Sequence, residues 1–270
     1  MMQELSELIL LFTIYSLLGW ICESAACSIE AKKFINRGFL NGPFCPIYGV
    51  GALLIVKLLT PFSGNLAALF IAALLLTSVL EYLTGFLLEK LFHAKWWDYS
   101  HRRFNLQGRV CLGNALVFGV MGVAAVHLIH PLILRLLGMI PAFLSPFLAG
   151  GLAVYFIADT AVTVYAIFDL NGKLAELQKV LDEIGEKSQA LLEEKKLSVE
   201  QAIESRLSAD GKPYADYLEK LRQKEAELER NTKLLHRRLV NAFPTMKSLR
   251  QNESLARLRA ALEERRKNRK

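Results

Sequence analysis

The chain has 270 residues, 53% of them hydrophobic, with a mean hydropathy of +0.27 and a formal charge of +7. The charges are segregated, because 23 of the 33 basic and 17 of the 26 acidic residues lie after residue 170. The first part suits lipid and the last hundred residues suit water, which excludes a single soluble globular domain.

The fold class is all-α: a polytopic membrane helical bundle of about five spans over residues 1–170. A cytoplasmic, coiled-coil-like helical tail follows over residues 171–270. The first seven residues carry two acids and no base, which is not the basic start of a cleaved signal, so the apolar run after them reads as a retained helix. A bilayer core takes roughly 20 helical residues. Span one is Leu8 to Cys27 and holds one charge, Glu23; the loop after it carries Lys32, Lys33 and Arg37. Span two, Phe44 to Thr60, is short, with Lys57 near its end, and the loop Pro61 to Asn65 has no base. Span three, Leu66 to Leu88, holds only Glu81, and Lys90, Lys95, Arg102, Arg103 and Arg109 follow it. Span four, Val110 to Ile129, is uncharged. His130 to Pro141 is apolar apart from Arg135 and bracketed by prolines, which fits either an interfacial helix or a re-entrant piece. Span five, Ala142 to Phe168, holds only Asp159.

Lysine and arginine concentrate in alternate loops, so the positive-inside rule puts the N-terminus outside and the basic loops and tail in the cytoplasm. The expected location is the cytoplasmic membrane, multi-pass, with Lys57 snorkelling to the outer interface. Cys22, Cys27, Cys45 and Cys111 then fall toward the reducing side without metal-ligand spacing, so they read as small buried hydrophobes rather than disulfides or zinc ligands.

Asn171-Gly172 reads as a helix break. Beyond it Leu174, Leu177, Leu181, Ile184 and Leu191 recur at helical spacing, and Ser198 with Gln201 reads as a capping box opening a further helix. Tyr214, Leu218, Leu221, Leu228, Leu235 and Leu239 fit a and d positions, with Glu225 and Thr232 interrupting the a series. That stripe fits a coiled coil, which would make a homo-oligomer, or an internal hairpin. Gly211-Lys212-Pro213 and Asn241 to Pro244 punctuate it. The basic end, Arg265 to Lys270, suits either attraction to anionic lipid or a solvated terminus. Both signs mix in the preceding heptads and no nucleic-acid module is visible, so no nucleic-acid partner is expected.

Three acids lie inside spans: Glu23, Glu81 and Asp159. An ionisable group in lipid is costly and usually faces the bundle interior with a partner. All three share a depth toward the inner face, and Asn114 enters at a similar level, so they are expected to converge on a polar chamber that binds an ion or a polar or anionic solute. The bland alternative is that each acid is a structural pair with a nearby arginine. The run Asn36-Arg37-Gly38-Phe39-Leu40-Asn41-Gly42-Pro43 brings amides and a guanidinium to a span entrance, where they suit a phosphate or carboxylate, or simply a tight turn. In the second inner loop Asp98 and Arg109 stand among the interface aromatics Trp96, Trp97 and Tyr99. No catalytic residue, metal ligand or cofactor is assigned.

Gly19-Trp20 with Glu23, the run NRGFLNGPFCPIYGVGA over Asn36 to Ala52, and WWDYS with FNLQGRVCL together resemble the bacterial CmpB-like family of type IV ABC-transporter permeases. The resemblance covers roughly residues 5 to 170 and implies a membrane transport component. Phe118-Gly119 departs from the Trp-Gly of that family. No G-x-x-x-x-G-K-[ST] phosphate loop is present, so transport would need a separate ATPase. Two other functions stay open. One is an enzyme acting on lipid head groups at the inner leaflet, because the outer halves of the spans are almost wholly apolar. The other is a membrane-anchored scaffold or sensor using the tail.

Overall fold

A computed structural model describes residues 2–201, 219–224, 226–227 and 233–267. Its helices are α1 (Met2–Ala31), α2 (Pro46–Leu59), α3 (Leu66–Phe92), α4 (Leu112–Ala124), α5 (His130–Gly138) and α6 (Ser145–Gln201), then Leu234–Ala242 and Asn252–Lys267. Within α1 the hydroxyls of Ser6 and Thr13 donate to the carbonyls one turn back, at 2.9 and 2.7 Å, so they cost little in an apolar setting. Proline opens α2 where no N–H is needed. Asn65 caps α3 by accepting from the Ala68 amide at 3.1 Å, and His93 ends it in the left-handed region at φ 52°.

Four helices are long and apolar enough to cross a membrane: Met2–Ile29, Leu66–Phe92, Leu112–Gly138 and Ser145–Glu186. Pro46–Phe62 is apolar but shorter. The 14 residues of α2 rise only about 21 Å, so the expected second span is the weak member of the set. His130 to Gly138 is not a separate piece. It continues α4 through a π turn at Ala125–Ile129. Pro131 has no N–H to give and its ring crowds the preceding turn; the wider turn just ahead supplies the room.

Residues Met1–Ile167 with Arg238–Lys247 form one compact unit, and Phe168–Arg237 with Ser248–Lys270 form a second. Ten residues from beyond residue 170, Arg238–Lys247, thus group with the first unit. In this first unit α1 packs on α2 and α3 on α4. Ile55, Leu59, Leu69 and Ala73 make one buried cluster, and Leu11, Tyr15 and Ile133 another. A methyl on Gly122 would collide with Ala73, so this glycine sets how closely α3 and α4 approach.

The second unit is built on the latter part of α6. The helix runs unbroken through Asn171-Gly172 and through Ser198, so neither the expected break nor the expected capping box forms there. Leu174, Leu177 and Leu181 are buried, as are Leu255 and Leu258 of the last helix. Ser254 donates to Gln178 at 2.8 Å. Lys233 and His236 both meet Asp169, at 2.7 and 3.0 Å. Tyr214, Leu218, Glu225, Leu228 and Thr232 of the heptad stripe, the Gly211-Lys212-Pro213 turn and the last three residues of the basic end lie outside the described residues.

Candidate functional site

The segment between α1 and α2 is fixed from every side. Hydroxyls on the last turns of α1 receive its amides, Ser28 from Ile35 at 2.9 Å and Ser24 from Arg37 at 3.1 Å. Trp20 donates its indole N–H to the Asn36 side chain at 2.6 Å. From α6, Asp159 accepts the backbone N–H groups of Asn41 and Gly42 at 2.9 and 2.8 Å and the Tyr155 hydroxyl at 3.1 Å. From the returning segment, Arg238 donates to the Gly38 carbonyl at 2.6 Å, to the Asn41 side chain at 3.0 Å and to the Leu40 carbonyl. The carboxylate takes the turn's donors and the guanidinium takes its acceptors. Gly42 has to be glycine for this, because a Cβ there would run into the Tyr155 hydroxyl. The outcome is a rigid turn that presents Arg37.

Arg37 lines a cavity of about 390 Å³ inside the first unit, together with Glu23 of α1, Tyr48 of α2 and Glu81 of α3. Tyr48 donates to Glu23 at 2.6 Å, and Arg37 lies 3.7 Å from the other oxygen of that carboxylate. The Arg37 guanidinium also donates to the Ala242 carbonyl at 2.8 Å and stacks over the Phe243 ring at 4.9 Å. Glu81 is 7% exposed and interacts with the Tyr99 phenol. Burial, and then the neighbouring Glu81 and Glu23 charges, push the Tyr99 phenol well above its ordinary range, so it stays a donor. The Glu81 Oε2 atom is buried and has no hydrogen-bond partner among the described residues; the same holds for the indole N–H of Trp96 on the cavity wall. Phe118 stands edge-on to Tyr48 at 5.9 Å and lines the cavity too, so the Phe-for-Trp departure falls on this wall.

Of the expected site residues, Glu23, Arg37 and Glu81 come together here. Asp159 does not line the cavity; its oxygens accept the Asn41 and Gly42 amides of the Asn36–Gly42 turn. Asn36 is spent on Trp20. Asn114 sits half-buried in the first turn of α4, away from the cavity wall. Asp98 takes the Ser100 amide at 3.0 Å and hydroxyl, and Lys247 at 2.6 Å. The Lys247 hydrogen bond, with Ser100 behind it, holds its carboxyl well below the usual range. Arg109 pairs with Glu89 at 2.5 Å, meets Tyr82 and Gln107, and lies over the Tyr82 and Phe86 rings. Sequence reasoning missed Tyr48, the cavity face of Trp96, and Phe243. A phenol in the short apolar run of α2 was a readable signal for the first; nothing local marks the last.

The model of one protein family, described as "Putative ABC-transporter type IV", matches residues 10–164, more than half of the chain. Comparison with curated proteins and with solved structures gives no match.

Proposed function

Since this chain belongs to the type IV ABC-transporter family, we propose that it is the membrane-spanning transport component and that the Glu23–Arg37–Glu81 cavity is where a solute rests. One observation carries the reading: charged groups from three separate segments meet at a cavity inside the apolar unit, and one of them keeps a buried oxygen without a partner among the described residues. Such a cost in an apolar interior is retained where something binds. A separate ATPase supplies the energy, because the sequence carries no phosphate loop. The loop charges orient the chain with its N-terminus outside and the cavity toward the cytoplasm. The head-group enzyme reading loses support, because the turn amides and Arg109 that would clamp a phosphate are engaged by Asp159 and Glu89.

Thr77 lines the cavity and bonds only to carbonyls of its own helix, so Thr77→Phe fills space without orphaning a neighbour. Inverted membrane vesicles from cells overproducing the chain and its ATPase, given ATP and a cell extract, should accumulate a solute by mass spectrometry. Vesicles carrying Thr77→Phe should not. Identical solute profiles for both and for vesicles lacking the chain would overturn the transport reading.

A further inference from the structure

We propose that the cavity takes an organic ammonium ion with an aromatic or apolar body, anchored by an N–H donated to Glu81. This rests on the solute-cavity reading and names the class of solute. The charged groups on the wall are two carboxylates and one guanidinium, so the wall itself is short of positive charge. The guanidinium is already engaged. Arg37 faces Glu23, donates to the Ala242 carbonyl and covers Phe243, so an anion would have to displace three contacts to use it. Glu81 is the opposite case, nine-tenths buried with Oε2 unpartnered among the described residues. A ligand N–H⁺ supplies the missing donor and the missing charge together.

The rest of the wall decides between a bare metal ion and an organic cation. A hard cation asks for six or more oxygen ligands, and the wall offers chiefly rings and alkyl groups, including Phe39, Trp96, Trp97, Phe118 and Phe243. Ring faces attract an ammonium group and pack well against its organic body. A space of about 390 Å³ falls within the range of small-molecule sites.

The test uses the full chain in nanodiscs and three probes of nearly one shape: 2-phenylethylamine, neutral 2-phenylethanol and anionic 3-phenylpropionate, titrated by calorimetry at pH 7. The amine should bind about tenfold or more tightly than the alcohol. Glu81→Gln should remove that preference while leaving the alcohol's affinity unchanged. Equal affinities for amine and alcohol, tightest binding of the carboxylate, no binding of any probe, or an undiminished preference in Glu81→Gln would each overturn the assignment. If Glu81→Gln does not fold, the wild-type ranking and competition by the Thr77→Phe filling of the same space decide it. Amine binding without solute accumulation in vesicles would sink the transport reading alone; accumulation of a solute that the amine does not displace would sink the cation class alone.

Discussion

Asp98 lies in the loop after α3, outside the spans, with its carboxylate on Lys247 and Ser100. Its folded value is depressed, chiefly by Lys247. A depressed carboxyl contributes stability that is fully present above its unfolded value, about 3.9, and is lost as pH falls through the folded value. Asp98→Asn should therefore lower the unfolding midpoint at pH 7 by roughly 2–4 °C, a modest figure because Lys247 is half-exposed. The gap should hold from pH 7 to 5 and close only below about pH 4. Tryptophan fluorescence of the full chain, heated at each pH, reads it; a gap that persists undiminished in strong acid would show that the carboxylate's charge contributes nothing. The in-span acids teach a related lesson. Glu23, Glu81 and Asp159 were legible as costly residues, because a charge in an apolar run needs a reason to be there. Whether the reason is a cavity or a backbone was not legible, since it depends on amides at Asn41 and Gly42, more than a hundred residues from Asp159.

Apolar runs announced the helices, because length and hydropathy are local quantities, but helix ends were less readable. Gly172 looked like a stop, yet α6 continues through it, with Leu170 and Leu174 buried on either side. The burial of those leucines outweighs a mid-helix glycine, which costs about 1 kcal/mol relative to alanine. A Cβ at Gly172 would meet nothing within 4 Å. Gly172→Ala should accordingly stabilise the chain by about 0.5–1 kcal/mol through the unfolded state, without altering ligand binding. Chemical denaturation in detergent, monitored by circular dichroism, checks the sign. A loss of stability would mean that α6 bends or breaks at this residue. The helix Leu234–Ala242 ends just before Phe243 and Pro244, as the Asn241 to Pro244 punctuation suggested. The contacts made just beyond that helix were invisible in the sequence: Phe243 meets Trp96 at 4.8 Å and Lys247 reaches Asp98. Such partners are chosen by tertiary packing, and no periodicity encodes them.

At the scale of the whole molecule, the distribution of charge along the chain decides which way the cavity opens. Lys32, Lys33 and Arg37 follow α1, and five bases follow the apolar part of α3, whereas the turn between α2 and α3 has none. Basic residues near span ends are retained in the cytoplasm, so the α2–α3 turn should lie outside and the chain's last residue inside. Glu81 sits about 22 Å along α3 from Leu66, in the inner half of a core about 30 Å thick, which would put the cavity nearer the cytoplasmic face. The demanding element is α2, whose 14 residues and the 3₁₀ turn after them must reach across alone. A shortfall of a few ångströms is met by local thinning of the bilayer or by tilting of neighbours, at fractions of a kcal/mol per ångström. A periplasmic-active reporter inserted at Gly64 should therefore be active, and the same reporter fused after Lys270 should be silent, while a cytoplasmic-active reporter gives the reverse. Gly64 is a suitable point because a side chain there meets nothing within 4 Å. The same reporter placed after Lys33 and found on the same side as Gly64 would mean that α2 dips into the membrane and returns. Four full spans would then bring both ends of the bundle to one face, and the charge argument would have to be redrawn around α3 alone.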